Sequence, residues 1–511
     1  MSASGGIIQG RTASGDLALE AEVVIVGTGS AGAVVGALLA EAGRDVLFIE
    51  EGAHHRPEAY GRYRPSQHVR DMWRDSGLTI TQPVGDSPAI NVMMGKCVGG
   101  SSLLTGGVCF RTPGYVLHEW RRDHGLTDLT DARVDAVFRE VEAAVNVEEV
   151  PVEMRSRSTV LFGEGAAKNG HPLNPTRRNT KDCNGCGRCN FGCPHQAKMS
   201  VDLTYLPRAL RAGARIYSDC LADRLEIDGS GRAVGVRGRV LNELGKRRGK
   251  LRVRAKQVVV AAGAWHSPGI LQRSGVGRDS DQVGRNLTLH PSFRVMAVFD
   301  QPVEGWRGAM QSAYSDAFES RGFTLMSLFT PPGVLAATMP GIGREHVRRG
   351  RELPHMAIFG GLIHDEGGGT VRRGLGREPF VGYRMATKDR ATVNVMLRTI
   401  ADDFFAAGAR EVVMPVLGEE PFTADRFRRF DLEKVPARRF ECASQHPLGS
   451  CRMGVRPGSS VVDPDGQAWE VKNLFVVDGS VLPTSLGVNP QLTVMAMATH
   501  LAWKLRERRP N

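Results

Sequence analysis

Four closely spaced cysteines form a group that could bind a metal ion or an iron–sulfur cluster. They are Cys183, Cys186, Cys189 and Cys193. With the following Pro194 they reproduce the C-x2-C-x2-C-x3-C-P spacing of bacterial ferredoxins, in which thiolates wrap a compact cluster. No second run of this kind exists in the sequence, so a single cluster would need all four thiolates, or Cys220 from elsewhere. The spacing predicts an iron–sulfur site, and a zinc site or buried thiols and disulfides in a compact loop stay open as alternatives.

A glycine-rich turn near the N-terminus has the spacing of a dinucleotide-binding site. Gly27, Gly29 and Gly32 follow the apolar run 22–26, and Glu50 lies 18 residues beyond Gly32. The first glycine allows a tight turn, the second admits a pyrophosphate and the third lets helix and strand pack closely. The helix N-terminus would stabilise phosphate charge, and Glu50 could accept hydrogen bonds from ribose hydroxyls. The fingerprint predicts dinucleotide binding, but it does not separate FAD from NAD.

Two later segments have the same strand-and-turn character. A second apolar strand ends at Gly263 and leads into a helix predicted from Pro268, and a third ends at Asp478. The expected strands are 22–26, 45–49, 257–262 and 474–477, and a last helix is expected at 492–506. Because these units are alike but far apart in sequence, they predict one nucleotide-binding domain assembled from separated segments.

The stretch between these segments predicts a second domain. Short apolar strands such as 355–363 alternate there with a strongly helical run at 387–408. We therefore expect an α/β fold, in which a discontinuous Rossmann-type domain accompanies an α+β substrate domain built on an antiparallel sheet. The expected boundaries are 16–130, 200–292 and 445–511 for the dinucleotide-binding domain, 131–199 for a cysteine-rich insert or cap, and 293–444 for the substrate domain.

Composition and charge exclude several classes of protein. Of the 511 residues, 41% are hydrophobic and 24% are charged, which is typical of a folded globular chain. The net charge of +11 comes from scattered arginines and from clusters without interleaved aromatic residues, so we expect no nucleic-acid partner. The apolar stretch 323–341 contains Pro331, Pro332 and Pro340, which would break a spanning helix, and no signal-peptide pattern is present. We expect no transmembrane segment and a cytoplasmic location.

Seven further segments resemble the signature motifs of the glucose-methanol-choline (GMC) oxidoreductases, a family of FAD-dependent alcohol oxidases and dehydrogenases. They occur in the order of that family and, with the glycine fingerprint, run from Gly27 to about Leu505. The segments are 95–102 (GKCVGGSS), 263–275 (GAWHSPGILQRSG), 283–290 (VGRNLTLH), 446–454 (HPLGSCRMG), 461–464 (VVDP), 476–480 (VVDGS) and 487–491 (GVNPQ). Within the family, the features most similar to the branch of long-chain alcohol oxidases and related bacterial enzymes are 183–198, 367–372 (GGGTVR) and 407–412 (AGAREV).

The resemblance implies FAD as the cofactor. The implied contact positions are Gly27, Gly29, Ser30, Gly32, Glu50, Gly95, Gly99, Gly100, Ser101, Ser102, Ala222, Ala262, Gly263, Asp478, Gly479, Asn489 and Pro490. At Thr105 the sequence departs from the asparagine that many family members carry after the GGSS stretch, which leaves the flavin contact there open. The segment 95–107 contains no histidine of the kind that some relatives bond covalently to flavin, so we expect non-covalent FAD.

The resemblance also implies which residues carry the chemistry. Oxidising an alcohol requires a base for the hydroxyl proton and an acceptor for the hydride. His446 matches the catalytic position, and histidine suits that role because its unperturbed pKa lies near neutral pH. Asn489 lies where the family carries His or Asn, and its amide could donate to the substrate oxygen while Pro490 keeps its backbone extended. His290 and His266 are not expected to be catalytic.

The sequence leaves the electron acceptor and the alcohol open. The acceptor could be oxygen, a quinone or a redox protein. An iron–sulfur cluster would favour a dehydrogenase that uses one of the last two, and its absence would favour an oxidase. Two other functions stay open: a non-redox flavoprotein lyase of the same fold, and an NAD-dependent dehydrogenase, which the C-terminal flavin motifs oppose.

Overall fold

Two large β-sheets with α-helices packed against them make up most of the structure, a computed structural model that describes residues 5–329, 331–339, 342–374 and 376–508. Thr330, Pro340 and Gly341 of the apolar stretch 323–341 lie outside these residues. In the part of the chain that the structure describes, no helix is both long and apolar enough to cross a membrane.

Most strands are short, and the longest ones belong to the first sheet. In chain order they are β1 (Gly6–Gln9), β2 (Leu17–Val26), β3 (Val46–Ile49), β4 (Gln82–Pro83), β5 (Ile90–Val92), β6 (Val147–Glu149), β7 (Asn174–Pro175), β8 (Arg177–Asn179), β9 (Arg215–Ser218), β10 (Cys220–Ile227), β11 (Ala233–Leu241), β12 (Arg247–Val260), β13 (Ser292–Val298), β14 (Ala313–Ser315), β15 (Phe323–Ser327), β16 (Met356–Ile363), β17 (Gly368–Arg372), β18 (Phe380–Arg384), β19 (Glu411–Val413), β20 (Cys442–Ser444) and β21 (Leu474–Val476).

The α-helices range from single turns to one of five turns or more. In chain order they are α1 (Ser30–Glu41), α2 (Pro57–Tyr60), α3 (Pro65–Met72), α4 (Gly114–Asp123), α5 (Asp131–Ala144), α6 (Arg157–Lys168), α7 (Tyr205–Arg211), α8 (Gly263–Arg273), α9 (Pro332–Ala337), α10 (Arg344–Arg351), α11 (Thr387–Ala406), α12 (Ala424–Arg429) and α13 (Gln491–Glu507).

The first sheet has a parallel part and an antiparallel part. Its strand order is β1-β9-β3-β2-β12-β11-β10, and β21 also pairs with β12. The strands from β1 to β12, together with β21, run parallel, whereas β11 and β10 continue antiparallel. All of β3 and the last four residues of β2 are buried; α1 packs against both strands, and α13 packs against α1. The strand β2, helix α1 and strand β3 form the predicted nucleotide-binding unit.

The second sheet is built mainly from antiparallel pairs. Its order is β5-β20-β13-β16-β15-β14-β7, with β19 also paired to β13, and β5 and β20 run parallel. Every residue of β16 is buried, and α6 and α11 pack against one of its faces. Phe162 of α6 stacks on Phe359 of β16 with their ring centroids 3.6 Å apart. The two sheets confirm the predicted fold class, and the domain boundaries stay predictions.

Two predicted elements begin earlier than expected. The helix predicted from Pro268 begins at Gly263, and Pro268 lies inside it. Proline has no N–H for the carbonyl of Ala264, and the Ser450 hydroxyl donates to that carbonyl instead, at 2.6 Å. The strand predicted at 257–262 is the end of the 14-residue β12, whose earlier residues alternate charged and apolar side chains.

Candidate active site

Two adjoining cavities are lined by residues of both sheets. The larger, of about 340 Å³, is lined by residues of β13, β15 and β16 and by the segment 95–108. The smaller, of about 200 Å³, is lined by the turn between β2 and α1 and by residues after β3. The residues that line both are Ser30, Arg74, Gly95, Ser101, Ala262, Gly263, His266, Gly479 and Val494. The two cavities therefore adjoin and share part of their walls.

The glycine fingerprint lies at the smaller cavity. Gly27 has a φ of +107° at the turn between β2 and α1. Gly29 is the N-cap of α1, and no atom lies within 4 Å of the position that its Cβ would take. Helix α1 has neither a side-chain cap nor an acidic residue in its first turn, so its free N–H groups are available to an anion. These features suit a pyrophosphate.

A second glycine turn contacts the first one beside the smaller cavity. Gly99 and Gly100 have φ values of +92° and +55°. A Cβ on Gly100 would lie 2.9 Å from the Cα of Gly29, so the backbones are close here and a side chain on Gly100 does not fit. The N–H of Gly99 donates to the hydroxyl of Thr28 at 3.0 Å, which links the two turns.

Most predicted cofactor positions line a cavity. They are Gly27, Gly29, Ser30, Glu50, Gly95, Gly100, Ser101, Ala222, Ala262, Gly263, Asp478, Gly479, Asn489 and Pro490. Gly32, Gly99 and Ser102 line neither of the two. A Cβ on Gly32 would lie 2.2 Å from the carbonyl oxygen of Gly27, and the Ser102 hydroxyl donates to the Gly99 carbonyl at 2.7 Å. These three residues therefore support the shape of the turns without lining a cavity.

Glu50 lies at the wall of the smaller cavity, directly after β3. Its Oε2 accepts from the N–H and the hydroxyl of Thr28 at 3.0 and 2.7 Å, and its Oε1 accepts from the N–H of Gly52 at 2.8 Å. Burial raises the pKa of this carboxyl group above its usual range. A carboxylate oxygen has two acceptor positions, so Oε1 keeps one for a ribose hydroxyl.

Asp478 follows β21 and organises two turns beside the cavities. Its Oδ2 accepts from the N–H of Gly263 at 2.8 Å and from the hydroxyl of Ser267 at 2.5 Å, and its Oδ1 accepts from the N–H of Ser480 at 2.7 Å. Burial raises the pKa of this carboxyl group. The side chain fixes the start of α8 and the turn at Gly479, and its own contact with a cofactor stays a prediction.

His446 and Asn489 meet at the wall of the larger cavity. The Nδ2 of Asn489 lies 3.3 Å from the Nε2 of His446, although 43 residues separate them in sequence. His446 follows β20, and its N–H donates to the Ser444 hydroxyl at 3.0 Å. Asn489 precedes α13, whose N-cap is Pro490. The structure thus brings together the two side chains that the sequence assigns to catalysis.

Both members of this pair have a buried polar atom without a hydrogen-bond partner in the described structure, His446 Nδ1 and Asn489 Oδ1. Burial, and to a smaller extent His290, lowers the pKa of His446 well below its usual range, so the ring is neutral near neutral pH. A neutral ring that accepts from Asn489 at Nε2 carries its proton on Nδ1. The pair therefore presents one basic nitrogen and one amide donor close together.

Apolar side chains form much of the remaining wall of the larger cavity. They include Val108, Met93, Met94, Phe293, Met326, Leu328 and Leu362. Gly360 and Gly361 of β16 add bare backbone to this wall. At the position where the resemblance leaves the flavin contact open, the Thr105 hydroxyl donates to Gln491 Oε1 at 2.7 Å. A cavity of this kind suits a ligand with an apolar body.

Sequence reasoning misses an ion-pair network where the cavities join. Glu51 pairs with Arg74 at 2.8 Å, with Lys96 at 3.2 Å and with Arg377. Although burial alone would raise the pKa of Glu51, the cations Arg74, Arg377 and Lys96 hold it well below its usual range. Arg74 lines both cavities. The four residues come from separate segments, so no spacing in the sequence signals the network.

The cysteine-rich loop does not form the predicted metal site. Within residues 5–329, 331–339, 342–374 and 376–508, no group of three or more His, Cys, Asp or Glu side chains is arranged to hold a metal ion. All four cysteines are free thiols: Cys189 and Cys193 are buried, Cys183 is partly exposed and Cys186 is exposed. The prediction of an iron–sulfur or zinc ligand set is not supported, because spacing along the chain does not itself turn the thiols toward a common centre.

Two buried cations fasten this loop to the segment that lines the larger cavity. Lys198 Nζ donates to the carbonyls of Leu103, Thr105 and Cys189 at 2.7, 2.9 and 2.8 Å. A guanidinium N–H of Arg178 donates to the sulfur of Cys189 at 2.8 Å. Burial lowers the pKa of Lys198 to about 8. The loop therefore braces the cavity through Lys198, which sequence reasoning does not identify.

Comparisons with known proteins give the family of the chain. Two family models, both described as GMC oxidoreductase, match residues 21–292 and 377–498. An uncharacterised GMC-type oxidoreductase of Mycobacterium tuberculosis is 37% identical over 94% of this chain and 75% of its own length. A long-chain-alcohol oxidase of Arabidopsis thaliana is 27% identical over 96% of this chain and 67% of its own length.

A solved structure supports the same fold. The crystal structure of pyridoxine 4-oxidase from Mesorbium loti matches with a TM-score of 0.71 and 22% sequence identity, and the match covers 96% of this chain and 100% of that one. At this identity the likeness bears on the fold alone. Since the two family models together match more than half of the residues, the chain belongs to the GMC oxidoreductase family and is an oxidoreductase.

Proposed function

We propose that the chain oxidises a small-molecule alcohol to an aldehyde or ketone with non-covalently bound FAD, and that His446 is the base. The supporting observation is the 3.3 Å approach of Asn489 Nδ2 to His446 Nε2, at the wall of a cavity that adjoins a second cavity lined by glycine turns. The long-chain-alcohol oxidase among the relatives supports an alcohol as the substrate class.

A hydroxyl group bound at this pair would use both of its polar functions. Its proton would be donated to Nε2 of His446, and its oxygen would accept from Nδ2 of Asn489. As the proton moves to Nε2, the amide N–H stabilises the negative charge that develops on the oxygen. Burial keeps the ring of His446 unprotonated near neutral pH, so Nε2 is free to accept the proton, although the lowered pKa makes it a weaker base than an exposed histidine.

The residues present fit FAD. The backbone at Gly29 and Gly100, with the N-terminus of α1, leaves room and donors for a pyrophosphate. Glu50 offers an acceptor for ribose hydroxyls, and the larger cavity reaches Asn489. When bound, FAD supplies the two-electron acceptor for the hydride that leaves the carbinol carbon.

The walls of the larger cavity narrow the substrate. Their apolar side chains favour an alcohol with an apolar body over a sugar, whose hydroxyls would need polar partners. The relative from Arabidopsis thaliana is named an oxidase, which supports oxygen as the electron acceptor. If the electron acceptor is instead a quinone or a redox protein, turnover would require that acceptor and would not proceed with oxygen alone.

The test is anaerobic bleaching of the flavin absorbance by primary alcohols of increasing chain length. We expect the wild type to bleach, and His446→Ala to retain FAD but reduce it about 100-fold more slowly or worse, as for the loss of a general base. His118→Ala, an exposed position on α4, is the matched control with the wild-type rate. Wild-type-like reduction by His446→Ala would refute the base, and a purified protein without flavin absorbance would refute the cofactor.

A further inference from the structure

His290 is a fully buried histidine that lies beside His446 and is hydrogen-bonded to the turn that precedes Asn489. Its Nε2 accepts the N–H of Leu486 at 2.7 Å and, with a longer bond, the N–H of Gly487 at 3.3 Å. These two residues begin the turn that carries Asn489. The His290 ring also lies edge-on to the ring of His446, with the centroids 5.4 Å apart and an interplanar angle of 67°.

These two bonds fix the protonation state of His290. Backbone N–H groups can only donate, so Nε2 must keep its lone pair. A doubly protonated ring would turn an N–H toward two other N–H groups and lose both bonds. Burial lowers the pKa of His290 to about 3, so the neutral ring is the form present near neutral pH.

Asp365 ties the backbone of His290 to the same turn. Its carboxylate accepts from the N–H groups of Leu289 and His290 at 2.9 and 3.1 Å, and from the Ser485 hydroxyl at 2.7 Å. Ser485 directly precedes Leu486. The ring and the backbone of His290 therefore hold the turn at two successive points.

Hydrogen bonds also tie this segment to the chain around His446. Thr288 and Leu448 exchange N–H···O bonds of 3.1 and 3.0 Å, and the Ser444 hydroxyl donates to the carbonyl of Leu289. The residues on both sides of His446 are thus anchored to the segment 288–290. His290 is the residue of that segment whose side chain reaches across to the other catalytic turn.

We infer that His290 is a positioning residue, whose ring sets the approach of Asn489 to His446. The inference rests on the proposed function, in which a substrate hydroxyl is bound between those two side chains. His290 lines neither cavity, so it acts through the pair and does not itself touch the substrate. A shift of about 1 Å in a reacting group can cost about 100-fold in rate, which makes such support matter.

The first test compares two substitutions of His290 by anaerobic flavin reduction. His290→Gln keeps an acceptor near the position of Nε2, whereas His290→Leu has none. We expect the limiting rate to fall about 100-fold in His290→Leu and less than about tenfold in His290→Gln, with a similar half-saturating alcohol concentration in both. His171→Leu, which removes a buried histidine paired with Asp403, is the control with a wild-type rate in the folded protein.

The second test needs no substrate. In amide hydrogen exchange of the FAD-bound protein, the segment 485–490 should exchange faster in His290→Leu and at the wild-type rate in His290→Gln. Unchanged exchange or a wild-type reduction rate in His290→Leu would overturn the inference. If His290→Leu does not retain FAD, a 100-fold loss of the flavin reduction rate in His290→Gln would also overturn the inference. If the wild type reduces no alcohol, the proposed function fails, while the exchange result still decides the role of His290.

Discussion

The glycine turns at the smaller cavity and the cysteine-rich loop beside the larger one are held in shape by different parts of the chain. At Gly29 and Gly100, bare backbone meets bare backbone, and a Cβ on the second would lie 2.9 Å from the first. At the cysteine-rich loop, buried side chains do the holding, with Lys198 donating to three carbonyl oxygens. The glycine turns therefore require residues without side chains. The cysteine-rich loop instead requires the hydrogen bonds of Lys198, which is not one of its cysteines.

The two regions also differ in the sign of the charged groups that they bury. The glycine turns enclose a buried carboxyl group, that of Glu50, whose pKa is raised by burial and which finds only neutral donors. The cysteine-rich loop encloses two buried cations, Lys198 and Arg178, which find carbonyl oxygens and a sulfur. Burying a charge costs free energy unless its hydrogen bonds are made, so removing these bonds should destabilise each region.

The largest effect is expected for Gly32→Val. A Cβ at Gly32 would lie 2.2 Å from the Gly27 carbonyl oxygen and 3.2 Å from the Ala261 side chain, so α1 would have to leave β2. We expect a loss of more than about 4 kcal/mol in the free energy of unfolding and no FAD-bound protein. The control is Gly114→Val at the start of α4, where no atom lies within 4 Å of the added Cβ. FAD-bound Gly32→Val with wild-type stability would show that the packing of α1 does not require glycine at this position.

The next effect is expected for Lys198→Met. The substitution keeps the length of the side chain but leaves the carbonyls of Leu103, Thr105 and Cys189 without their shared donor. We expect a loss of about 3 kcal/mol in the free energy of unfolding, measured in urea. Lys168→Met is the control, because the exposed Lys168 donates to one carbonyl only and should cost less than about 1 kcal/mol. Equal losses in the two variants would show that the loop does not depend on Lys198.

A smaller effect is expected for Glu50→Gln, with a specific pH dependence. Loss of a charged acceptor should weaken FAD binding about tenfold, which is about 1.4 kcal/mol, in a titration of the apoprotein. Because the folded pKa of Glu50 is raised above 4.5, this group stabilises the fold below that pH and loses its contribution as the pH rises through the folded pKa. Glu50→Gln should therefore lose less stability than the wild type as the pH rises above 4.5. Equal pH profiles would contradict a raised pKa, and Glu41→Gln on the surface should bind FAD as the wild type does.

The sequence predicts the glycine turns at the smaller cavity well because the constraints on their backbone are local. A glycine is needed wherever φ is positive or two backbones touch, so the spacing of Gly27, Gly29 and Gly32 carries the geometry of the turn. The approach of His446 to Asn489 follows from motif resemblance, since nothing in 43 residues of separation implies it. Their roles stay predictions until the variants are measured.

Other features depend on contacts between distant segments. Helix α8 begins before Pro268 because Ser450, 186 residues away from Ala264, satisfies the carbonyl that proline leaves free. The network of Glu51 and the bonds from His290 to Leu486 and Gly487 likewise join separate segments. Residue types alone indicate that such groups need partners, but the fold decides which ones they have.

The smallest effect is expected for two matched substitutions of the cysteines themselves. Cys186 is exposed, so Cys186→Ala should change the free energy of unfolding by less than about 0.5 kcal/mol and leave the flavin spectrum unchanged. Cys189→Ala removes the sulfur that accepts from Arg178 and should cost about 1 kcal/mol. Four thiolates sharing one cluster would instead make the two variants equally severe, because loss of any ligand opens the same site. Equal and large losses, together with iron and acid-labile sulfide in the wild type, would show that a cluster rather than Lys198 and Arg178 holds the loop.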